Sequence, residues 1–219
     1  MKFRGTRTAC MLLAAAALAG GLSACVPLVV GGAAVGTMVA VDRRTSGTQL
    51  EDEGIEVRSV NRINELLGER AHVNVTSWNR QVLLTGEVPT AEDRQKVEQS
   101  VLGVENVRSV VNELVVAPIS SVSQRSNDVL ISGKVKASFV DAKDIMSSAF
   151  KVVTERGVVY LMGRVTQREA TRATEIARGV SGVVKVVRIF EIISEEEMRR
   201  GFAAQQPAPV VRDPAHTAP

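Results

Sequence analysis

The chain has 219 residues, 45% of them hydrophobic and only 3% aromatic, which is ordinary for globular protein and too long for one minimal domain. Its formal net charge of +3 comes from 27 basic and 24 acidic side chains, and three of the basic ones lie among the first seven residues. Without those three the charges balance, so the composition gives no indication of a nucleic-acid partner.

The first 24 residues are predicted to be a secretory signal peptide. Lys2, Arg4 and Arg7 form a positively charged start, and the apolar stretch "MLLAAAALAG" at 11–20 follows it. This stretch is shorter than the roughly 20 residues that a membrane-spanning helix needs. Residues 1–24 are therefore expected to be removed, which leaves a mature chain of 195 residues.

The four residues "LSAC", Leu22 to Cys25, resemble the lipobox of bacterial lipoproteins. The resemblance implies that Cys25 becomes the first residue and carries covalent acyl chains, and no other cofactor is expected. More than one chain anchors a protein stably, because each buried methylene contributes about 0.8 kcal/mol. Val26 follows instead of an aspartate, which in such lipoproteins favours the periplasmic face of the outer membrane. Cleavage of an ordinary signal peptide near an A-x-A site is the alternative.

Residues 25–49 are predicted to be a lipidated, glycine-rich tether. The run at 26–41 is mainly apolar, and Gly32 and Gly36 have the GxxxG spacing that lets membrane helices approach each other. The run is short for a membrane span. A segment that lies near the bilayer surface is therefore the favoured interpretation.

Two stretches of the chain repeat one pattern, "VLLTGEVPTAEDRQKVEQSVLGVENVRSVVNELVV" at 82–116 and "VVYLMGRVTQREATRATEIARGVSGVVKVVRIFEI" at 158–192. Each contains an apolar run, a glycine, a helical segment and a second β-branched run. Gly86 aligns with Gly163 at an offset of 77 residues, and Gly103 aligns with Gly182 at an offset of 79. The larger offset predicts two additional residues in the helix region of the second copy.

A further helix and strand precede each repeat, so each module is predicted to be an αββαβ unit. Apolar and polar residues alternate on both sides of "WNR" and "ERG", which is typical of half-buried hairpins. Thr90 and Thr166 stand where the N-cap of each second helix is expected. The fold class is therefore α+β: two tandem modules, each a three-stranded mixed sheet packed against two helices. Units of this size bury little surface, so each is expected to lean on the other or on the membrane.

The predicted domain bounds follow from this repeat. They are 50–117 for the first module, 118–126 for a linker, 127–193 for the second module and 194–219 for a tail that is disordered after a short helix in "SEEEMRRGFAA".

The glycines Gly86 and Gly163 lie inside predicted strands. A glycine there usually marks a bulge or the close approach of another backbone. The segments "GEVPTA" and "GRVTQR" contain no further glycines, so they do not predict a phosphate-binding loop.

The segments "VLLTGEV" and "LGVENV", with "VYLMGRV" and "SGVVKV", resemble the BON domain, a small αββαβ module of bacterial envelope proteins. With the lipobox, the arrangement is similar to the family of dual-BON outer-membrane lipoproteins associated with cell division and outer-membrane stress. The resemblance implies no catalysis. It implies attachment to anionic phospholipid through the second module and a role in keeping the outer membrane intact.

The first helix of the second module is the predicted lipid-binding surface. Asn127 or Asp128 is expected to cap it, and Ile131, Val135 and Phe139 follow one another at intervals of four on its core face. A helix with apolar residues beside lysines outside its core face can enter a headgroup layer, where each lysine contributes about 1 kcal/mol. The predicted phospholipid contacts are Leu130, Lys134, Lys136, Ala137, Phe139 and Val140.

The distribution of charge supports this choice of module. Residues 50–117 hold 7 basic and 12 acidic side chains, whereas residues 125–193 hold 12 basic and 7 acidic ones. The equivalent helix of the first module lacks the pattern of apolar residues beside lysines. The alternative is that Leu130 and Val140 pack against the first module or the loop at 141–146.

Two functions of different classes remain open. The first is a non-enzymatic periplasmic lipoprotein that binds anionic phospholipid through the second module and supports outer-membrane integrity at division sites. The second is an adaptor whose first module docks outer-membrane assembly machinery or a regulator of cell-wall remodelling.

Enzymatic, metal-dependent and nucleic-acid-binding functions are not expected. The mature chain has two histidines, His72 and His216, too few for a histidine-based metal cluster or catalytic triad. The "GVSG" at 179–182 has the spacing of a nucleic-acid-binding loop, but it lies at a predicted helix end, where glycines serve as C-caps.

Overall fold

Residues 42–205 are described in this computed structural model, with side chains through residue 200. The predicted signal peptide, Cys25 and the apolar run at 26–41 lie outside the described residues, as does the tail after residue 205. Among the helices that the structure describes, none is long and apolar enough to cross a bilayer.

The first module contains two helices and a mixed sheet. Its elements are α1 (Ser46–Leu67), a 3₁₀ turn (Gly68–Arg70), β1 (His72–Trp78), β2 (Gln81–Val88), α2 (Ala91–Leu102), β3 (Ser109–Asn112) and β4 (Val115–Val116). Strand β2 pairs antiparallel with β1 and parallel with both β3 and β4. Because Gln81 faces Ser109 and Glu87 faces Val115, β3 and β4 keep one register and form a single interrupted third strand.

The second module repeats this arrangement with an unbroken third strand. Its elements are α3 (Val122–Asp141), a 3₁₀ turn (Ser147–Ala149), β5 (Lys151–Glu155), β6 (Val158–Thr166), α4 (Gln167–Arg178) and β7 (Lys185–Ile193), and α5 (Glu195–Gln205) follows it. Strand β6 pairs antiparallel with β5 and parallel with β7. The predicted α+β fold of two tandem αββαβ modules with mixed sheets is confirmed.

Helix α3 begins earlier than the sequence analysis predicted. Ser121 is its N-cap and forms a capping box with Gln124, in which each side chain binds the backbone N–H of the other residue. Such a box starts a helix even where polar residues favour a linker. The prediction that Asn127 or Asp128 caps this helix is therefore wrong. Helix α1 likewise begins at Ser46, inside the segment 25–49 that was predicted to be a tether.

Asp128 instead holds the turn of the second hairpin. Its carboxylate accepts hydrogen bonds from the backbone N–H groups of Arg156 and Gly157, each at 2.8 Å. Asp52 of α1 accepts in the same way from the turn at 79–80, at 2.9 and 2.7 Å. Both central residues of each turn have positive φ, as two-residue hairpins of the I′ type require. In both modules, an aspartate of the first helix therefore binds the backbone of the hairpin turn.

The glycine in each central strand is required by a close backbone contact. At Gly86 φ is +112°, and a Cβ atom there would overlap the carbonyl oxygen of His72 on the neighbouring strand. A Cβ atom on Gly163 would overlap the carbonyl oxygen of Ala149, which lies just before β5. The predicted close approach of another backbone is confirmed at both positions.

The alignment of the repeats needs one correction. Helices α2 and α4 each have 12 residues and end at the C-caps Gly103 and Gly179. Gly182, which the sequence analysis aligned with Gly103, lies three residues beyond its helix end with φ +96°, and Asn106 is its counterpart with φ +67°. The helix regions therefore have equal length, and the two additional residues predicted in the second copy are absent.

Each sheet is covered on one face by the two helices of its own module. The first core contains Ile55, Ile63, Leu67, Val82, Leu84, Val88, Val97, Val101 and Leu114. The second contains Ile131, Val135, Phe139, Phe150, Val152, Val159, Leu161, Val165 and the alanines of α4. The predicted core face of α3 is therefore confirmed.

The other faces of the two sheets pack against each other. Because side chains alternate along a strand, Leu83 of β2 and Tyr160 and Met162 of β6 point away from the helices and join Trp78 and Ile189 in one buried cluster. Burial is the main cause that raises the pKa of the Tyr160 hydroxyl to about 12. From the sequence, each module was expected to lean on the other module or on the membrane. The structure shows that the two modules pack against each other.

Candidate functional site

Helix α3 leaves an apolar stripe exposed along its outer face. Val129, Leu130 and Val140 are 71%, 63% and 69% exposed. Val122 is also exposed at the start of the helix, and Ala137 lies two turns after Leu130 on the same side. The alternative in which Leu130 and Val140 pack on the first module or the following loop therefore does not hold within the described residues.

Lysines border this stripe on both sides. At about 100° per residue, Lys134 and Lys136 fall on opposite sides of the stripe, and both are exposed. Gly133 lies between them and adds no side chain to the surface. An apolar centre with cationic borders is typical of a helix that lies in the headgroup layer of an anionic membrane.

Five of the six predicted phospholipid contacts lie on this surface, namely Leu130, Lys134, Lys136, Ala137 and Val140. Their contact with lipid stays a prediction. Phe139 does not lie there, because it is buried in the core with its ring centroid 5.1 Å from that of Phe150. The helical period gives the reason: Phe139 follows Val135 by four residues and shares its core face.

The equivalent helix α1 presents a different outer face. Leu50 and Val57 are exposed there, which the sequence analysis did not anticipate. Glu53 is exposed between them, and α1 contains no lysine. Arg58, one of its two cationic side chains, forms an ion pair with Glu51 at 2.7 Å. Helix α1 therefore has exposed apolar residues without a cationic border, which makes it a matched comparison for α3.

A second polar feature lies where the two modules meet. His72 on β1 is paired directly opposite Glu87 on β2, and Glu155 ends strand β5 of the second module. One potential ligand atom from each of these three residues lies within 4.8 Å of the other two. This cluster was not predicted, because the expectation of no metal site rested on the number of histidines, and only the docking of the two sheets brings the carboxylates close to His72.

Hydrogen bonds and one ion pair hold the two carboxylates of this cluster. Asn74 Nδ2 donates to Glu155 Oε2 at 2.9 Å, and Ser120 Oγ donates to Glu87 Oε2 at 3.3 Å. Arg156 Nη1 lies 3.3 Å from Glu87 Oε1. Burial is the main cause that raises the pKa of Glu155, the Asn74 hydrogen bond opposes it, and the charge of Glu87 adds to it.

The segment 42–44, which lies within the predicted tether 25–49, contacts both modules. Arg43 donates two hydrogen bonds to the carboxylate of Glu169 at the start of α4, at 2.6 and 2.9 Å. The guanidinium of Arg44 lies over the indole ring of Trp78, 3.7 Å from the ring centroid. The described end of the predicted tether therefore contacts one residue of each module, Trp78 in the first and Glu169 in the second. No sequence pattern indicates these contacts, because Arg43 and Glu169 are 126 residues apart.

Comparison with known proteins gives a family match in both modules. The family model described as BON domain matches residues 51–118 and 127–193, more than half of the chain. The chain is 39% identical over 175 residues to the outer membrane lipoprotein DolP of Haemophilus influenzae. The aligned region covers 78% of this chain and 90% of that protein. It is 33% identical over 155 residues to the 21 kDa hemolysin of Actinobacillus pleuropneumoniae, covering 70% of this chain and 80% of that protein. It is 32% identical over 117 residues to osmotically-inducible protein Y of Escherichia coli, covering 52% and 58% respectively.

Proposed function

Because this chain belongs to the BON domain family and contains two such domains, we propose that it is a non-enzymatic outer-membrane lipoprotein held on the periplasmic face by acyl chains on Cys25. Its second BON domain binds anionic phospholipid through helix α3, and the protein thereby supports outer-membrane integrity at division sites. Similarity over most of the chain to a protein named as an outer membrane lipoprotein supports this location.

The exposed stripe of α3 with its two bordering lysines is the observation that carries the lipid-binding proposal. Fully burying one leucine or valine side chain contributes about 1.5–3 kcal/mol, and each lysine near an anionic surface contributes about 1 kcal/mol. A few partly inserted side chains therefore give weak binding. Weak binding is sufficient for recognition, because an acyl anchor already holds the protein at the membrane and raises the effective concentration of lipid.

Combining Leu130→Glu with Lys134→Gln is expected to weaken binding of the soluble fragment 42–205 to phosphatidylglycerol or cardiolipin vesicles at least tenfold. The double variant loses up to one inserted leucine and one cationic contact, together about 2.5–4 kcal/mol when the leucine is fully inserted, and about 1.4 kcal/mol already corresponds to a factor of ten. Co-sedimentation with vesicles at low and high salt measures the change, and phosphatidylcholine vesicles serve as the neutral reference.

Val57→Glu on α1 is the matched control for this experiment. Val57 is 60% exposed, comparable to Leu130, but it lies on the helix without a cationic border. We expect vesicle binding of this variant to equal that of the wild type. A double variant on α3 that keeps the wild-type circular dichroism spectrum and the wild-type affinity for anionic vesicles would disprove the role of α3.

A protein adaptor is the second candidate function, favoured by the exposed Leu50 and Val57 on the acidic first module. In this function the first module docks outer-membrane assembly machinery or a regulator of cell-wall remodelling. Val57→Glu is then expected to make cells more permeable to a large antibiotic without changing vesicle binding. If Val57→Glu cells exclude the antibiotic as well as wild-type cells do, but Leu130→Glu cells do not, the adaptor function is contradicted and lipid binding is supported.

A further inference from the structure

Two buried carboxylates from different modules face one histidine in the junction between the sheets. The side chain of Glu87 is 0% exposed and Glu155 is 6% exposed. Nδ1 of His72 is also buried, and it forms no hydrogen bond with any residue of the described chain. Its neighbour Glu87 Oε2 lies 3.4 Å away, which is an ion pair only when the imidazole is protonated. A buried nitrogen without a hydrogen bond calls for an explanation, because nearly all such atoms in folded proteins are satisfied by protein, water or an ion.

The spacing of these atoms is close to that of a metal site. Zinc bonds of about 2.0–2.2 Å to nitrogen and oxygen place neighbouring ligand atoms of a tetrahedral site about 3.3–3.6 Å apart. His72 Nδ1 lies 3.4 Å from Glu87 Oε2. The closest Glu155 oxygen completes a set in which all three ligand atoms lie within 4.8 Å of one another. Binding one ion would draw the Glu155 carboxylate closer to the other two ligands.

The surroundings supply the outer contacts that such a site uses. Asn74 binds one oxygen of Glu155, and Ser120 binds one oxygen of Glu87, so both carboxylates have orienting partners. Arg156 compensates the charge of Glu87, whereas Glu155 forms no ion pair within the described part of the chain. Two carboxylates this close repel each other. A bound divalent cation would neutralise the repulsion.

An access path is also present. A cavity of about 540 Å³ lies between the first strand of the first module and helix α3, and His72, Asn74 and Glu155 line it. Its other lining groups include Asp128 and Lys136. An ion can therefore reach the histidine and the Glu155 carboxylate from solvent without separation of the two modules.

We propose that His72, Glu87 and Glu155 bind one Zn²⁺ ion, or a transition-metal ion of similar chemistry, between the two BON domains. The imidazole ligand favours such an ion over Mg²⁺ or Ca²⁺, which prefer oxygen. A water molecule is left to fill the fourth position. Because two ligands come from the first domain and one from the second, the ion ties the domains together.

The test is a Zn²⁺ titration of the mature acylated chain in detergent micelles, in competition with a chromogenic chelator. We expect one saturable equivalent per chain, with affinity reduced at least tenfold in His72→Gln and in Glu155→Gln. His216→Gln is the matched control, because His216 is the only other histidine of the chain. Excess Mg²⁺ is expected not to displace the ion.

Thermal unfolding separates loss of the site from loss of the fold. Zn²⁺ is expected to raise the melting temperature of the wild type and of His216→Gln, and to leave that of His72→Gln unchanged. X-ray absorption is expected to show only nitrogen and oxygen ligands. Absence of saturable binding, a folded His72→Gln variant with wild-type affinity, or sulfur in the coordination shell would each overturn the proposal.

Discussion

Gly86→Ala is expected to lower the free energy of unfolding of the first module by about 4 kcal/mol, because backbone strain and overpacking each cost about 1–3 kcal/mol. The new Cβ atom would overlap the His72 carbonyl oxygen, and φ of +112° disfavours any side chain at this position. Strands β1 and β2 cannot move apart to make room, because they are paired with each other in the sheet. Urea unfolding followed by the fluorescence of Trp78, the single tryptophan, measures the loss.

Gly133→Ala is the control for this prediction. Gly133 lies on the exposed face of α3, and a Cβ atom there would meet nothing within 4 Å. Alanine in a helix is favoured over glycine by about 0.5–1 kcal/mol, so this variant is expected to be slightly more stable than the wild type. Equal unfolding midpoints for the two alanine variants would show that the backbone contact at Gly86 is not what requires glycine.

Much of the fold could be predicted because it depends on short-range patterns. Alternation around the turns at 79–80 and 156–157 marks the hairpins, and the strand glycines mark a contact with the adjacent strand. The partner of the outer sheet faces could not be predicted in this way. Leu83 and Met162 lie on strands whose residues are mostly buried on both faces, although polar residues such as Thr85 and Glu87 lie among them. Such a strand is buried twice, but the pattern does not show which surface covers its second face.

The candidate sites also differ in whether a short-range sequence pattern predicts them. The exposed stripe of α3 follows from the helical period, and Phe139 was misplaced because it was assigned to the core face and to the lipid face together. The cluster around His72 and the pair Arg43–Glu169 join residues that are remote in the sequence, the latter by 126 positions. Charged side chains at such separations carry no periodic signal, so only the folded chain identifies their partners.

Arg43→Ala is expected to lower the free energy of unfolding by about 3–5 kcal/mol at pH 7, because removing one partner leaves a buried charge without compensation. The side chains of Arg43 and Glu169 are only 8% and 4% exposed. Arg172→Ala is the control, since Arg172 pairs with Asp144 at 2.8 Å on the surface and such pairs contribute about 0–1 kcal/mol. Urea unfolding of both variants at pH 7 measures the difference, and equal losses would contradict the prediction.

The pH dependence of the Arg43→Ala effect identifies the responsible carboxylate. Burial acts to raise the pKa of Glu169, but hydrogen bonds from Arg43 and Thr166 outweigh it and hold that pKa below the ordinary value of 4.5. In the wild type this stabilisation is present above pH 4.5 and is lost as the pH falls through the lowered pKa. Without Arg43 the largest cause that lowers this pKa is lost, so Glu169 takes up a proton at a higher pH than in the wild type and the buried charge disappears. The stability difference between wild type and variant is therefore expected to be largest at neutral pH and to narrow below pH 4.5, whereas a constant difference would assign the loss to packing of the arginine side chain.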